Sequence, residues 1–107
     1  MLKQRTNQNN VQQITNIDVD CMKNFLEVTE TNGFEYHDFK FCARTGAVKI
    51  IVKYNKNIPT KDNYLKIRNK LINMADNVFK HNRQPLQIIV SPEKDIDLFR
   101  VDITGKL

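Results

Sequence analysis

The sequence predicts one two-layer α+β domain, in the order α-β-β-α-β-β, with a four-stranded, mainly antiparallel sheet and one long amphipathic helix. Apolar side chains recur at helical spacing over residues 61–82, whereas residues 47–54 and 96–103 alternate as strands do. A chain of 107 residues suits one domain. We expect a mobile arm rich in Gln and Asn over residues 1–17 and the folded domain over residues 18–107.

The first element is a predicted helix over residues 18–32. Asp18 or Asp20 is suited to cap its start, and Gly33 suits the position just past its last turn, where a positive φ is needed. The apolar residues of this segment fall near helical spacing: Val19, Met22, Phe25 and Leu26.

A β-hairpin follows, with strands over residues 34–43 and 47–54 and a turn that contains Gly46. The aromatic residues of the first strand change phase halfway along it. A bulge near His37 and Asp38 would place all of them on the core side of the sheet. These aromatic residues are Phe34, Tyr36, Phe39 and Phe41.

The long helix has a clear start, because Thr60 can cap it and Asp62 lies in the first turn, where the helix dipole favours an anion. We expect it to end near Asn82, since Pro85 disfavours helix in the residue before it. Arg68 falls among its apolar residues. It should therefore extend to the rim of the core or pair with a carboxylate.

Two strands complete the domain, over residues 86–90 and 96–103, with a turn over residues 91–95 between them. Two hairpins around one long helix give the sheet its predicted four strands. The turn also begins an acidic cluster of Glu93, Asp95, Asp97 and Asp102. We interpret this cluster as a charged turn that protects a sheet edge, rather than as a metal site for phosphodiester chemistry.

The residues that catalysis needs are sparse, so we expect no enzyme, no cofactor and no metal. Ser91 is the only serine and precedes a proline, and the three glycines are isolated, which argues against a phosphate loop. The four possible zinc ligands lack the close pairs of structural zinc sites, and we expect the two cysteines to be buried free thiols. These four residues are Cys21, Cys42, His37 and His81.

The net charge of +5 is concentrated in the middle of the chain, with +3 over residues 34–58 and +4 over residues 59–85. Such a basic field attracts nucleic acid, anionic lipid or an acidic protein. No apolar run approaches the roughly 18 residues that a membrane span needs. We therefore expect a cytoplasmic protein that does not enter a membrane.

The candidate binding residues lie on the basic segments. Lysines can bind phosphates, and amides can reach sugars or base edges. The alternative is a solvated surface without a ligand. On the polar side of the long helix the candidates are Lys66, Asn69, Lys70, Asn73, Asn77 and Lys80. On the sheet face opposite the core they are Lys40, Lys49 and Lys53.

Two functions remain open. The first is a small, basic, non-enzymatic protein that binds RNA, DNA or a nucleoprotein through these residues, with Lys3 and Arg5 of the arm ordering on contact. The second is an inhibitor or adaptor, of the kind that mobile elements encode. It would dock on a partner protein with an acidic or nucleic-acid-bound surface, such as a nucleic-acid enzyme.

Overall fold

The order of helices and strands confirms the predicted α+β class. The structure is a computed structural model that describes residues 14–56 and 59–106. Most of the predicted arm, residues 1–13 with Lys3 and Arg5, lies outside the described residues. The elements are α1 (Val19–Thr31), β1 (Phe34–Phe41), β2 (Val48–Tyr54), α2 (Lys61–Phe79), β3 (Leu86–Pro92) and β4 (Leu98–Gly105).

The four strands form one sheet in the order β1-β2-β4-β3, and every neighbouring pair is antiparallel. Strand β2 therefore lies between its hairpin partner and β4, while β1 and β3 form the two edges. Helix α1 packs on α2 and beside β1, and α2 packs beside β3. Both helices cover the same face of the sheet, which we call the helix face, and the other is the open face.

The core lies between the helices and the two central strands. Phe25 of α1 contacts Phe79 of α2, with ring centroids 5.2 Å apart. Tyr64 stacks on the fully buried Phe99 of β4 at the same centroid distance. Each buried aromatic or aliphatic side chain of this kind stabilises the fold by roughly 1.5–3 kcal/mol. The core thus fixes α2 over the sheet with its opposite side turned outward.

The predicted bulge in β1 is present, because the register with β2 shifts between Tyr36 and Asp38. Phe39 and Phe41 pair with buried residues of β2, so their side chains lie on the helix face, as expected. Their expected burial is wrong, however. Tyr36, Phe39 and Phe41 are 41%, 51% and 62% exposed. Helix α1 packs against α2. Among the described residues, it therefore does not cover the outer part of this edge strand.

The two helices begin differently. Thr60 caps α2 as predicted, since its side-chain oxygen accepts a hydrogen bond from the Asn63 amide at 3.2 Å. Asp18 occupies the cap position of α1, but its side chain makes no capping bond. Its carboxylate instead accepts from the backbone amide of Arg83 at 2.8 Å and from Arg83 Nε at 3.2 Å. Gly33 has the predicted positive φ, of +91°.

Helix α2 ends at Phe79, three residues before the predicted end at Asn82. Asn82 is buried and serves the turn that follows the helix. Its side-chain oxygen accepts from the Asp18 amide at 2.6 Å, and its side-chain nitrogen donates to the carbonyls of Asn16 and Gln84 at 2.8 Å. These bonds satisfy an amide that would otherwise be costly to bury.

The strand β3 extends to Pro92, beyond the predicted 86–90, and β4 covers Leu98–Gly105 rather than 96–103. Arg68 is half-buried and extends to the rim of the core at the β3 edge, the first of the two expected arrangements, and no carboxylate of the described residues pairs with it. Its Nε and Nη2 donate to the backbone carbonyl of Val90 at 3.3 and 3.1 Å. Arg68 thereby ties α2 to the β3 edge of the sheet.

The last residues of the predicted arm are attached to the domain. We call residues 14–17 the docked segment. The Thr15 amide donates to the Thr45 carbonyl at 2.6 Å, and Thr15 Oγ1 accepts from the Gly105 amide at 2.8 Å. Gln84 Nε2 donates to the Ile14 carbonyl, also at 2.8 Å. The docked segment therefore joins the β1–β2 turn, the α2–β3 turn and the end of β4.

Candidate functional site

The six candidate residues of the long helix form one exposed stripe on α2. With 3.6 residues per turn they fall within an arc of roughly 100°, and a rise of 1.5 Å per residue makes the stripe about 21 Å long. We call this stripe the Lys/Asn face. All six of its residues are exposed: Lys66, Asn69, Lys70, Asn73, Asn77 and Lys80.

The Lys/Asn face is exposed because the opposite side of α2 carries the apolar residues that fill the core. Five of these are buried: Ile67, Leu71, Met74, Ala75 and Phe79. Leu65 departs from the predicted wheel, since it is 60% exposed beside the polar side. The helix cannot rotate without exposing its apolar residues, so the orientation of the Lys/Asn face is set by the core.

Acidic residues limit the charge at two points of the helix. Asp62 lies in the first turn, and Asp76 is also exposed. At the end of α2, Lys80, Arg83 and Lys106 line one shallow surface pocket of about 440 Å³ together with Asp76. Since Arg83 also pairs with Asp18, two carboxylates lie beside these three cations.

Arg83 and Lys106 were not among the residues predicted from the sequence. Lys106 reaches this place because its amide donates to the Pro85 carbonyl at 2.9 Å, directly beyond the pairing of Leu86 with Gly105. The side chain of Arg83 is 91% exposed despite its bond to Asp18. Only the pairing of β3 with β4 in the right register could have revealed this basic group.

The three sheet lysines share the open face, as predicted, on the side of the sheet away from α2. Lys40 and Lys49 are direct cross-strand partners. The other neighbour of Lys49 is Asp102, and Lys53 pairs with Glu35. Lys49 and Lys53 are only partly exposed. The structure therefore brings the nine candidates together as two separate groups, six on α2 and three on the open face.

Further charges on the open face are paired with one another. Arg100 Nε lies 3.0 Å from an oxygen of Asp102, and Arg100 Nη1 lies 3.8 Å from an oxygen of Glu93. Two carboxylates of the acidic cluster thus contact an arginine. Ile51, on the same face, is buried and offers no apolar contact to a partner. The open face therefore carries both positive and negative charges.

The cysteines and histidines are arranged as follows. Cys21 is buried, and burial raises the pKa of its thiol. Cys42 is exposed, contrary to the expected burial, and hydrogen bonding to Thr45 lowers the pKa of its thiol. His37 is exposed beside Asp38, whose carboxylate accepts from the Phe39 amide at 2.9 Å. Asp38 thus has a local structural partner.

Within residues 14–56 and 59–106, no three His, Cys, Asp or Glu side chains are placed to hold a metal ion. Neither described helix has the length and apolar character needed to cross a membrane.

The chain matches no known protein family, no curated protein and no solved structure.

Proposed function

We propose that the protein binds nucleic acid without catalysing a reaction, and that the Lys/Asn face of α2 is the contact surface. One observation carries this proposal. Three lysines and three asparagines occupy a single exposed stripe of one rigid helix. A helix held by its core side fixes the backbone of these residues, so that only their side chains must be ordered on binding.

The chemistry of the stripe suits a polyanion with sugars and bases. Lys66 and Lys70 are separated by about 6 Å along the axis, and Lys80 lies about 15 Å further, given the helical rise. Lysine ammonium groups bind phosphates as point charges, while the amides of asparagine both donate and accept hydrogen bonds. The basic group of Lys80, Arg83 and Lys106 would extend the contact at one end.

The open face is less suited to phosphate binding than the Lys/Asn face. A phosphate placed near Lys49 would also approach Asp102, and one near Lys53 would approach Glu35. Like charges brought together at a contact oppose binding. Asp62 and Asp76 lie four residues before Lys66 and Lys80, but the Lys/Asn face is exposed along its whole length, whereas Lys49 and Lys53 are only partly exposed. We therefore assign phosphate binding to Lys66, Lys70 and Lys80 rather than to the sheet lysines.

Two matched triple variants test this assignment. Lys66, Lys70 and Lys80 are replaced by Gln in one, and Lys40, Lys49 and Lys53 by Gln in the other. Each lowers the formal net charge of the protein from +5 to +2. Fluorescence anisotropy measures binding of a labelled single-stranded RNA and a labelled DNA duplex. Losing three phosphate contacts should weaken binding by the α2 variant about tenfold or more, and the sheet variant by less than about threefold.

Two other outcomes would contradict the proposal. Equal weakening of both variants would mean that only net charge matters, which contradicts a defined surface. Failure of the wild type to bind either probe at low salt would make the Lys/Asn face a solvated surface. A protein partner, and with it an inhibitor or adaptor role, would then be sought by pull-down. Circular dichroism of each variant checks that a loss of binding does not come from unfolding.

A further inference from the structure

We propose that β1 pairs with the β1 strand of a second copy of this chain, so that two four-stranded sheets join into one of eight strands. This inference does not depend on nucleic-acid binding. It rests on a difference between the two edge strands of the sheet, β1 and β3. An uncovered edge strand offers free backbone groups to another strand, and proteins usually protect such edges.

Among the described residues, each edge strand has one backbone group bonded by a side chain. At β3 the guanidinium of Arg68 donates to the Val90 carbonyl, and at β1 the Asp38 carboxylate accepts from the Phe39 amide. The two edges differ in their aromatic residues, which β1 carries and β3 lacks. At β1, Tyr36, Phe39 and Phe41 are between 41% and 62% exposed, all on the helix face. Phe39 and Phe41 also line a groove of about 1010 Å³ between the docked segment, α1 and β1. Single exposed apolar residues are normal on a protein surface. Three exposed aromatic side chains on one edge strand instead indicate a surface that contacts a partner.

The sequence of β1, FEYHDFKF, complements itself when two copies run antiparallel. A two-fold axis between His37 and Asp38 places aromatic residues opposite aromatic residues and opposite charges opposite each other. The facing pairs are Phe34 with Phe41, Glu35 with Lys40, Tyr36 with Phe39, and His37 with Asp38. A two-fold axis makes each pair occur twice in the dimer.

The bulge makes this pairing geometrically consistent. In a regular strand Phe34 and Phe41 would point to opposite faces, because their positions differ by an odd number. The register shift at His37 reverses the alternation, so that both lie on the helix face. The same shift leaves Glu35 and Lys40 together on the open face. The three pairs outside the bulge, Phe34 with Phe41, Glu35 with Lys40 and Tyr36 with Phe39, therefore agree in face as well as in chemistry.

The charged pair allows a test by charge exchange. In Lys40→Glu, two glutamates face each other at both ends of the shared strand pair, and in Glu35→Lys two lysines do. Within one chain, K40E places its new glutamate opposite Lys49, so the fold should not be weakened. E35K places its lysine opposite Lys53, and its fold is checked by thermal melting.

Sedimentation velocity measures how strongly the full chain dimerises. It is carried out without nucleic acid and over a range of protein concentrations. The wild type should dimerise, and K40E and E35K alone should each dimerise about tenfold more weakly or worse. An equal mixture of the two should dimerise again, because each glutamate then meets a lysine. Lys94→Glu, on the exposed β3–β4 turn, should dimerise as the wild type does.

Three results would overturn the proposal. The wild type could remain monomeric at the highest concentration, which would leave the β1 edge open to a strand of another protein. K40E could dimerise as strongly as the wild type while its melting temperature is unchanged. The mixture of two folded single variants could stay monomeric. If E35K does not fold, the comparison of K40E with the wild type decides alone.

Discussion

At the scale of single residues, one end of the domain is held by side chains that bond far along the sequence. Asp18 accepts two hydrogen bonds from Arg83, and the buried Asn82 bonds to Asp18, Asn16 and Gln84. The docked segment depends on these bonds and on the turn at Gly46. Substitutions there should affect the stability of the fold while leaving the Lys/Asn face in place.

The first prediction concerns Asp18 and pH. The hydrogen bond from the Arg83 amide, followed by that from its side chain, lowers the pKa of Asp18 below the ordinary 3.8. A carboxylate with a lowered folded-state pKa stabilises the fold above its unfolded pKa and loses that effect as pH falls through the folded value. Asp18→Asn should therefore lower the melting temperature at neutral pH but much less in acid.

Asp20→Asn is the matched control, because Asp20 lies in the same first turn of α1 and is exposed. Thermal melts of both variants and the wild type at neutral and acid pH make the comparison. Equal and pH-independent losses for the two variants would show that the bonds between Asp18 and Arg83 do not stabilise the fold.

The second prediction concerns Gly46, which has φ +81°. Gly46→Ala would put a Cβ against the carbonyl oxygen of Thr15, and that backbone must then move. In Gly33→Ala, at φ +91°, the Cβ would meet only the flexible side chain of Lys56. Both alanines should destabilise the fold by about 1 kcal/mol or more through the positive φ. Gly46→Ala should lower the free energy of unfolding by at least about 1 kcal/mol more than Gly33→Ala does.

Urea unfolding of these two alanine variants measures the difference. A loss at Gly46 no larger than that at Gly33 would mean that the docked segment can leave at little cost. The bonds of Thr15 to Thr45 and Gly105 would then contribute little to stability.

At the scale of elements, the local sequence pattern was sufficient to predict those features that depend only on residues close together in the chain. The polar side of α2, the Thr60 cap and the bulge in β1 follow from local sequence, and the structure confirms them. The exposure of Phe39 and Phe41 could not be predicted in this way. It depends on where α1 lies over the sheet, which is decided by its packing on α2. The partner of Arg68 likewise depends on β3 lying beside α2.

The third prediction belongs to this contact between elements. Arg68→Met keeps an apolar stem against the core but leaves the Val90 carbonyl without its donors. Since the guanidinium is partly buried, we expect a loss of about 1 kcal/mol in the free energy of unfolding. Lys66→Met, on the exposed side of the same helix, should change it by less than about 0.5 kcal/mol. Urea unfolding with equal losses for both would contradict the role of Arg68.

At the scale of the whole molecule, the basic charge divides between two faces with different surroundings. Net charge and its position along the chain were available from the sequence, and so was the sharing of one face by Lys40, Lys49 and Lys53. The acids beside these lysines were not, because Asp102 reaches Lys49 only through the pairing of β2 with β4. The sequence therefore predicted both groups of candidates but not the difference between them.

The most direct measurement of the central claim is the salt dependence of binding for the wild type and two single variants. Lys70→Gln removes one charge from the middle of the Lys/Asn face, and Lys49→Gln removes one from the open face. The slope of log affinity against log salt should become shallower by about 0.7 to 0.9 in Lys70→Gln, as expected for one lost phosphate contact, and should be unchanged in Lys49→Gln. Equal slopes for all three proteins, or a shallower slope in Lys49→Gln alone, would contradict phosphate binding by α2.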